Sequence, residues 1–166
     1  PVADTYQPVN GLHWLDETRL LAVYLNQLVI WEIPAPREVQ RIPAPEDFLN
    51  YAGSSLSLDR TTLWLTAGNE KLYAYRFADE TWQIYPPGDE NVFTAGYTLA
   101  LSPDEQFALA ADSFGGVRFW LLDSPRRLSA PVLPMNNISA AAFSPEGRLL
   151  AITAPNAGTV WILGIP

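Results

Sequence analysis

An all-β fold is predicted by three features of this 166-residue chain. Apolar residues alternate with polar ones or run in short stretches, Pro, Gly, Asn and Asp interrupt them every few residues, and one pattern of such stretches recurs along the whole length. The pattern is clearest from Leu99 to Leu122. A short apolar strand turns through Ser102-Pro103-Asp104-Glu105, a second strand follows, Ser113-Phe114-Gly115-Gly116 makes another crossing, and a third strand ends near Trp120. Such a meander cannot cover both of its faces alone, so it needs copies stacked beside it.

The first copy is aligned on Trp14. It reads WLDETRLLAVYL, a two-residue connection at Asn26-Gln27 where Asn tolerates positive φ, and then LVIWEI. Two Pro-Ala-Pro tripeptides at 34–36 and 43–45 bracket Arg37 to Ile42. Proline cannot donate to a ladder, so that piece is an outermost strand with blocked ends. The second copy, LSLDRTTLWLTAGNEKLYAYRF, fits the third without a gap: Leu56 and Leu101, Ser57 and Ser102, Asp59 and Asp104, Leu72 and Val117, and Tyr75 and Trp120 are all 45 apart. TWQIY at 81–85 is its outer strand, closed by Pro86-Pro87-Gly88, and RRLSAPVL from Arg126 supplies the outer strand of the third. The fourth copy, from Ile138, matches at Phe143, Ser144, Pro145 and Glu146 and, after one inserted residue, at Val160. It carries Leu163 where the others have Trp31, Tyr75 and Trp120.

A period near 40 to 45 residues with four strands per unit predicts a β-propeller, here with four-stranded antiparallel meanders as blades. The chain divides into one propeller region, 1–166, with blade units at roughly 9–43, 53–86, 96–133 and 137–166. Phe143-Ser144-Pro145-Glu146-Gly147, Leu101-Ser102-Pro103-Asp104-Glu105 and the Gly-x-Val-x-x-Trp of Gly115 to Trp120 resemble WD40 repeats across nearly the whole chain. The Gly-His pair of the family is missing from all four units, and its Trp-Asp pair becomes Trp31-Glu32, Tyr75-Arg76 and Trp120-Leu121. The family's His, Ser/Thr, Asp and Trp hydrogen-bonded network is therefore incomplete, and apolar packing is expected to hold the blades. Outer strands follow only three of the four units. A fragment of a larger propeller or a multi-chain assembly, such as two chains forming eight blades, is expected ahead of a four-bladed ring closed by Ala3 to Gln7.

Composition narrows the function. With 48% hydrophobic and 12% aromatic residues the chain can build a true core. Ten basic against 18 acidic residues give a net charge of −8, which opposes nucleic-acid binding. The absence of cysteine removes disulfides, thiolate zinc sites and cysteine nucleophiles. No stretch approaches the roughly 18 apolar residues of a membrane span, and PVADTYQPVN lacks the basic start and apolar core of a signal peptide. A soluble, cytoplasmic chain without a membrane partner is expected, with what precedes Pro1 left open.

Few residues suggest chemistry. His13 is the single histidine, near Asp16 and Glu17, and reads as structural or solvated. Asp16, Asp59, Asp104 and Glu146 recur at the same turn of each unit and would ring one face; local bonds to turn amides explain them better than a cation does. Ser102 and Ser144 lack the surroundings of a nucleophile elbow. No catalytic residue, cofactor or metal is therefore expected. Trp31, Tyr75 and Trp120 share one repeat position and should lie between blades. Trp161 stands where the third unit has Arg118, which places it outward as a contact residue or against a further blade. The resemblance implies a non-catalytic scaffold or sensor for protein–protein interaction, using the Asp16, Asp59, Asp104 and Glu146 turns or the opposite rim with Asn69, Asn156 and Phe114. Two other readings are a small-molecule enzyme of lactonase-like or dehydrogenase-like propeller type, with its site on the central axis, and a structural spacer.

Overall fold

The computed structural model describes residues 8–48, 51–68, 71–86, 98–111, 116–124, 126–128, 138–154 and 158–165. Among them every regular element is a β-strand. Sheet 1 holds β1 (Gly11–Trp14), β2 (Arg19–Val23), β3 (Gln27–Glu32) and β4 (Arg37–Pro43). Sheet 2 holds β5 (Tyr51–Leu56), β6 (Thr62–Ala67), β7 (Leu72–Arg76) and β8 (Thr81–Tyr85). Sheet 3 holds β9 (Thr98–Leu101), β10 (Phe107–Ala111), β11 (Val117–Leu121) and β12 (Arg126–Leu128), and sheet 4 holds β13 (Ala140–Phe143), β14 (Leu149–Ala154) and β15 (Thr159–Gly164). All pairs are antiparallel and sequential, so each sheet is the predicted meander; in the fourth, three strands fall within the described residues.

Strand alternation sends each sheet's apolar residues to both faces, and those faces meet in three clusters. Leu21, Val23, Leu28 and Ile30 of sheet 1 pack on Leu63, Leu65, Tyr73 and Tyr75 of sheet 2. Trp64, Leu72, Ala74 and Tyr85 of sheet 2 pack on Ala108, Ala110 and Trp120 of sheet 3. Leu109, Ala111 and Val117 of sheet 3, with Phe119, pack on Leu150, Ile152 and Ala154 of sheet 4. Each cluster joins one sheet to the next along the chain. Polar pins accompany the apolar contacts: Trp82 Nε1 donates to the Pro43 carbonyl at 3.2 Å and the Tyr85 hydroxyl to the Leu122 carbonyl at 2.9 Å. As expected from the incomplete polar network, the buried cores are overwhelmingly apolar.

The first strands of the four sheets, β1, β5, β9 and β13, lie side by side in that order. Gly53 shows how closely β5 and β9 approach: a Cβ there would meet the Leu99 nitrogen at 3.2 Å and the Leu99 Cβ at 3.3 Å. One expected connection shifts by a residue. Tyr24 and Gln27 are joined by a backbone bond of 2.9 Å, so the loop is Leu25-Asn26, and Asn26 is not among the residues with positive φ. The expected closing strand at Ala3 to Gln7 lies outside the described residues.

Candidate functional site

Two surfaces gather the polar residues. The first is a rim formed by the turn between the first and second strand of each sheet. In sheets 2, 3 and 4 this turn has one construction: Ser57, Ser102 and Ser144 donate their amides across it to Thr62, Phe107 and Leu149 carbonyls at 2.9, 2.9 and 2.8 Å. The same serine hydroxyls accept the amides of Thr62, Phe107 and Leu149 at 2.9, 2.9 and 3.1 Å. Three residues after each serine the backbone turns left-handed, at Arg60 (φ 60°), Glu105 (φ 54°) and Gly147 (φ 73°). Only the last is the residue best suited to that conformation. In sheet 1 the turn is one residue shorter, closing from the Leu15 amide to the Arg19 carbonyl.

The recurring carboxylates serve these turns. Asp16 accepts the amides of Thr18 and Arg19, both at 2.8 Å, and pairs with Arg19 Nε at 2.6 Å. Asp59 accepts from the Ser57 hydroxyl and the Thr61 amide at 2.7 and 3.0 Å, and Asp104 from the Ser102 hydroxyl and the Gln106 amide at 2.6 and 3.1 Å. These donors hold all three carboxyls below their ordinary range; the largest influence is the Thr18 amide on Asp16, the Ser57 hydroxyl on Asp59 and the Ser102 hydroxyl on Asp104. Glu146, one methylene longer, stands exposed at the equivalent position of sheet 4. Among the described residues no group of three or more His, Asp or Glu is placed to hold a metal ion.

The turns also touch their neighbours. Glu105 Oε1 accepts the Leu58 amide at 2.5 Å, Arg60 reaches the Leu15 carbonyl at 3.5 Å, and a Cβ on Gly147 would lie 3.5 Å from Pro103. The four turns thus form one continuous rim. On it Leu58 is 77% exposed, and beside it Trp14, Asp16, Glu17 and Arg60 line a shallow hollow of about 410 Å³.

The second surface is a groove of about 420 Å³ lined from the first strands of all four sheets, with Asn10, His13, Ser54, Thr98 and Ser139 among its lining residues. His13 Nε2 and Ser54 Oγ are 2.6 Å apart, across sheets 1 and 2. Desolvation lowers the imidazole's pKa and favours its neutral form. The Thr98 hydroxyl is buried without a hydrogen-bond partner. Sequence reading singled out His13 but not Ser54, because nothing local marks a serine whose partner lies 41 residues away.

Trp161 pairs with Ile152 and shares a strand face with Leu163, which packs toward sheet 3; Trp161 is 38% exposed. Arg118, its repeat counterpart, is buried rather than outward. Phe114, Asn69 and Asn156 lie outside the described residues. No family model matches the chain, and no curated protein matches it either.

Proposed function

We propose that the four sheets are blades of a WD40-like β-propeller arrangement and that the chain is a non-catalytic scaffold or sensor for protein–protein interaction. The continuous rim carries this reading. Its turns are held rigid by their own serine and aspartate bonds and by contacts between neighbours, and they present the exposed Leu58 beside Arg60, Asp16 and Glu17. An exposed aliphatic side chain among fixed charges is a low-entropy contact surface, since binding need not order the loops that carry it.

A photo-crosslinking residue in place of Leu58, compared with one in place of Leu25 in the β2–β3 loop, tests it in an extract of the source cells. A discrete protein adduct from position 58 that disappears with Arg60→Glu is expected. Equal labelling from both positions, or none, would overturn the rim as the contact surface.

The alternative, a small-molecule enzyme with an axial site, is favoured by one observation, the His13–Ser54 pair in the groove. A neutral imidazole beside a hydroxyl is the minimum arrangement for proton transfer from that hydroxyl. A stoichiometric small molecule seen by native mass spectrometry, lost with Ser54→Ala, would select it.

A further inference from the structure

We propose that the groove between the first strands of the four sheets binds an uncharged, polyhydroxylated small molecule of the sugar or cyclitol kind, and holds it without converting it. The groove and the rim are different surfaces. The rim turns follow the last residues of β1, β5, β9 and β13, whereas the groove is lined from their earlier residues and from those just before them. Neither the rim contact nor a reaction at the His13–Ser54 pair is needed for it.

Repeat position makes the hollow. Four residues before Leu15, Ser57, Ser102 and Ser144, where the rim turns begin, stand Gly11, Gly53, Thr98 and Ala140. All of them line the groove. Three of them carry no more than a methyl group, so one level of the repeat, followed across the four sheets, leaves space that longer side chains would fill. At about 420 Å³ that space falls within the range of small-molecule sites, about 300–1,000 Å³.

The chemistry of the wall selects the ligand. β1, β5, β9 and β13 are each an end strand of their sheet, and such an edge presents backbone N–H and C=O groups that its own ladder does not use. Side chains add the hydroxyls of Ser54, Thr98 and Ser139, the Asn10 amide and the His13 imidazole, whose pKa desolvation lowers in favour of the neutral ring. The Thr98 hydroxyl is buried and has no hydrogen-bond partner among the described residues, which leaves hydrogen-bonding capacity unused at the wall. Among the described lining residues none is Asp, Glu, Lys or Arg, so neither an anion nor a cation finds a counter-charge there. None is Phe, Tyr or Trp, which removes the stacking platform that a flat heteroaromatic ring would use. What remains is a mixture of donors and acceptors interleaved with the aliphatic Leu12, Leu99 and Ala141. A ring bearing several hydroxyls matches it, because each hydroxyl both donates and accepts while the C–H groups between them pack on aliphatic side chains. With no carboxylate among the described lining residues to orient the imidazole or stabilise its cation, the His13–Ser54 contact of 2.6 Å is a hydrogen-bonding wall rather than a proton relay.

Amide-resolved NMR titration of the full chain tests this, with glucose, galactose, mannose and myo-inositol as neutral probes and glucuronate and glucosamine as charged counterparts. At least one neutral probe should shift the Gly11, Gly53, Leu99 and Ala141 amides saturably, leave the Leu58 amide on the rim unmoved, and be recovered unchanged. Ala140→Leu, at an exposed position, should abolish these shifts while circular dichroism and thermal unfolding stay as in the wild type. Ser139→Ala, which removes one hydroxyl, should weaken binding by up to about tenfold. Absence of saturable shifts with every neutral probe, tighter binding of a charged counterpart, binding that survives Ala140→Leu, or full affinity in Ser139→Ala would each overturn the proposal. Conversion of a probe, lost with Ser54→Ala, would overturn its non-catalytic part and select the enzymatic alternative.

Discussion

His13 is held between two opposing influences. Ser54 gives it a hydrogen-bond partner, while the converging inner strands remove the water that would solvate its cation, and the second effect lowers its pKa. In the unfolded chain the imidazole titrates near its ordinary value of about 6.5. Below that pH the unfolded state takes up a proton that the folded state resists, so stability is full above about 6.5 and falls as the pH drops toward the folded value. Asp16, Asp59 and Asp104 are also depressed, but their contribution is lost at lower pH, from the ordinary carboxylate value of about 4 downward. Thermal melts of the wild type should therefore decline in two stages on acidification. His13→Gln should abolish the upper stage and keep the lower; an unchanged upper slope would mean the imidazole is solvated.

Trp120 and Trp31 hold the same place in the repeat but differ in burial. Trp120 is 1% exposed in the cluster between sheets 2 and 3, so Trp120→Ala should cost about 3–5 kcal/mol in urea unfolding. Trp31→Ala, half-buried on the face of sheet 1 turned away from sheet 2, should cost about 1 kcal/mol, in line with less complete burial. Equal costs would contradict the stacking of sheets along the chain. The repeat was legible because turn chemistry cannot drift freely: Ser57 and Ser102 each bridge two strands, and the 45-residue offset follows their turns. The prolines around Arg37 to Ile42 and after Tyr85 marked the outer strands for an equally local reason. Burial was less legible. Arg118 reads as an outward residue by polarity yet is 2% exposed, whereas Trp161 at the equivalent position is 38% exposed. The Leu25-Asn26 loop was displaced by one residue because either register leaves an Asn in the turn.

At the scale of the molecule, each of the three apolar clusters among the described residues joins one sheet to the next along the chain. Sheets 2 and 3 are packed on both faces, and Leu63, Leu65, Leu72, Ala108, Leu109 and Ala110 are all 0% exposed. Val160 and Ile162 on the other face of sheet 4 are each 59% exposed, so opening sheet 4 exposes a single apolar cluster, whereas opening a middle sheet exposes two. Local opening should cost least at sheet 4. Hydrogen exchange should be slowest in β6, β7, β10 and β11 and faster in β14 and β15. Slowest exchange in sheet 4 would show instead that its stability does not come from stacking.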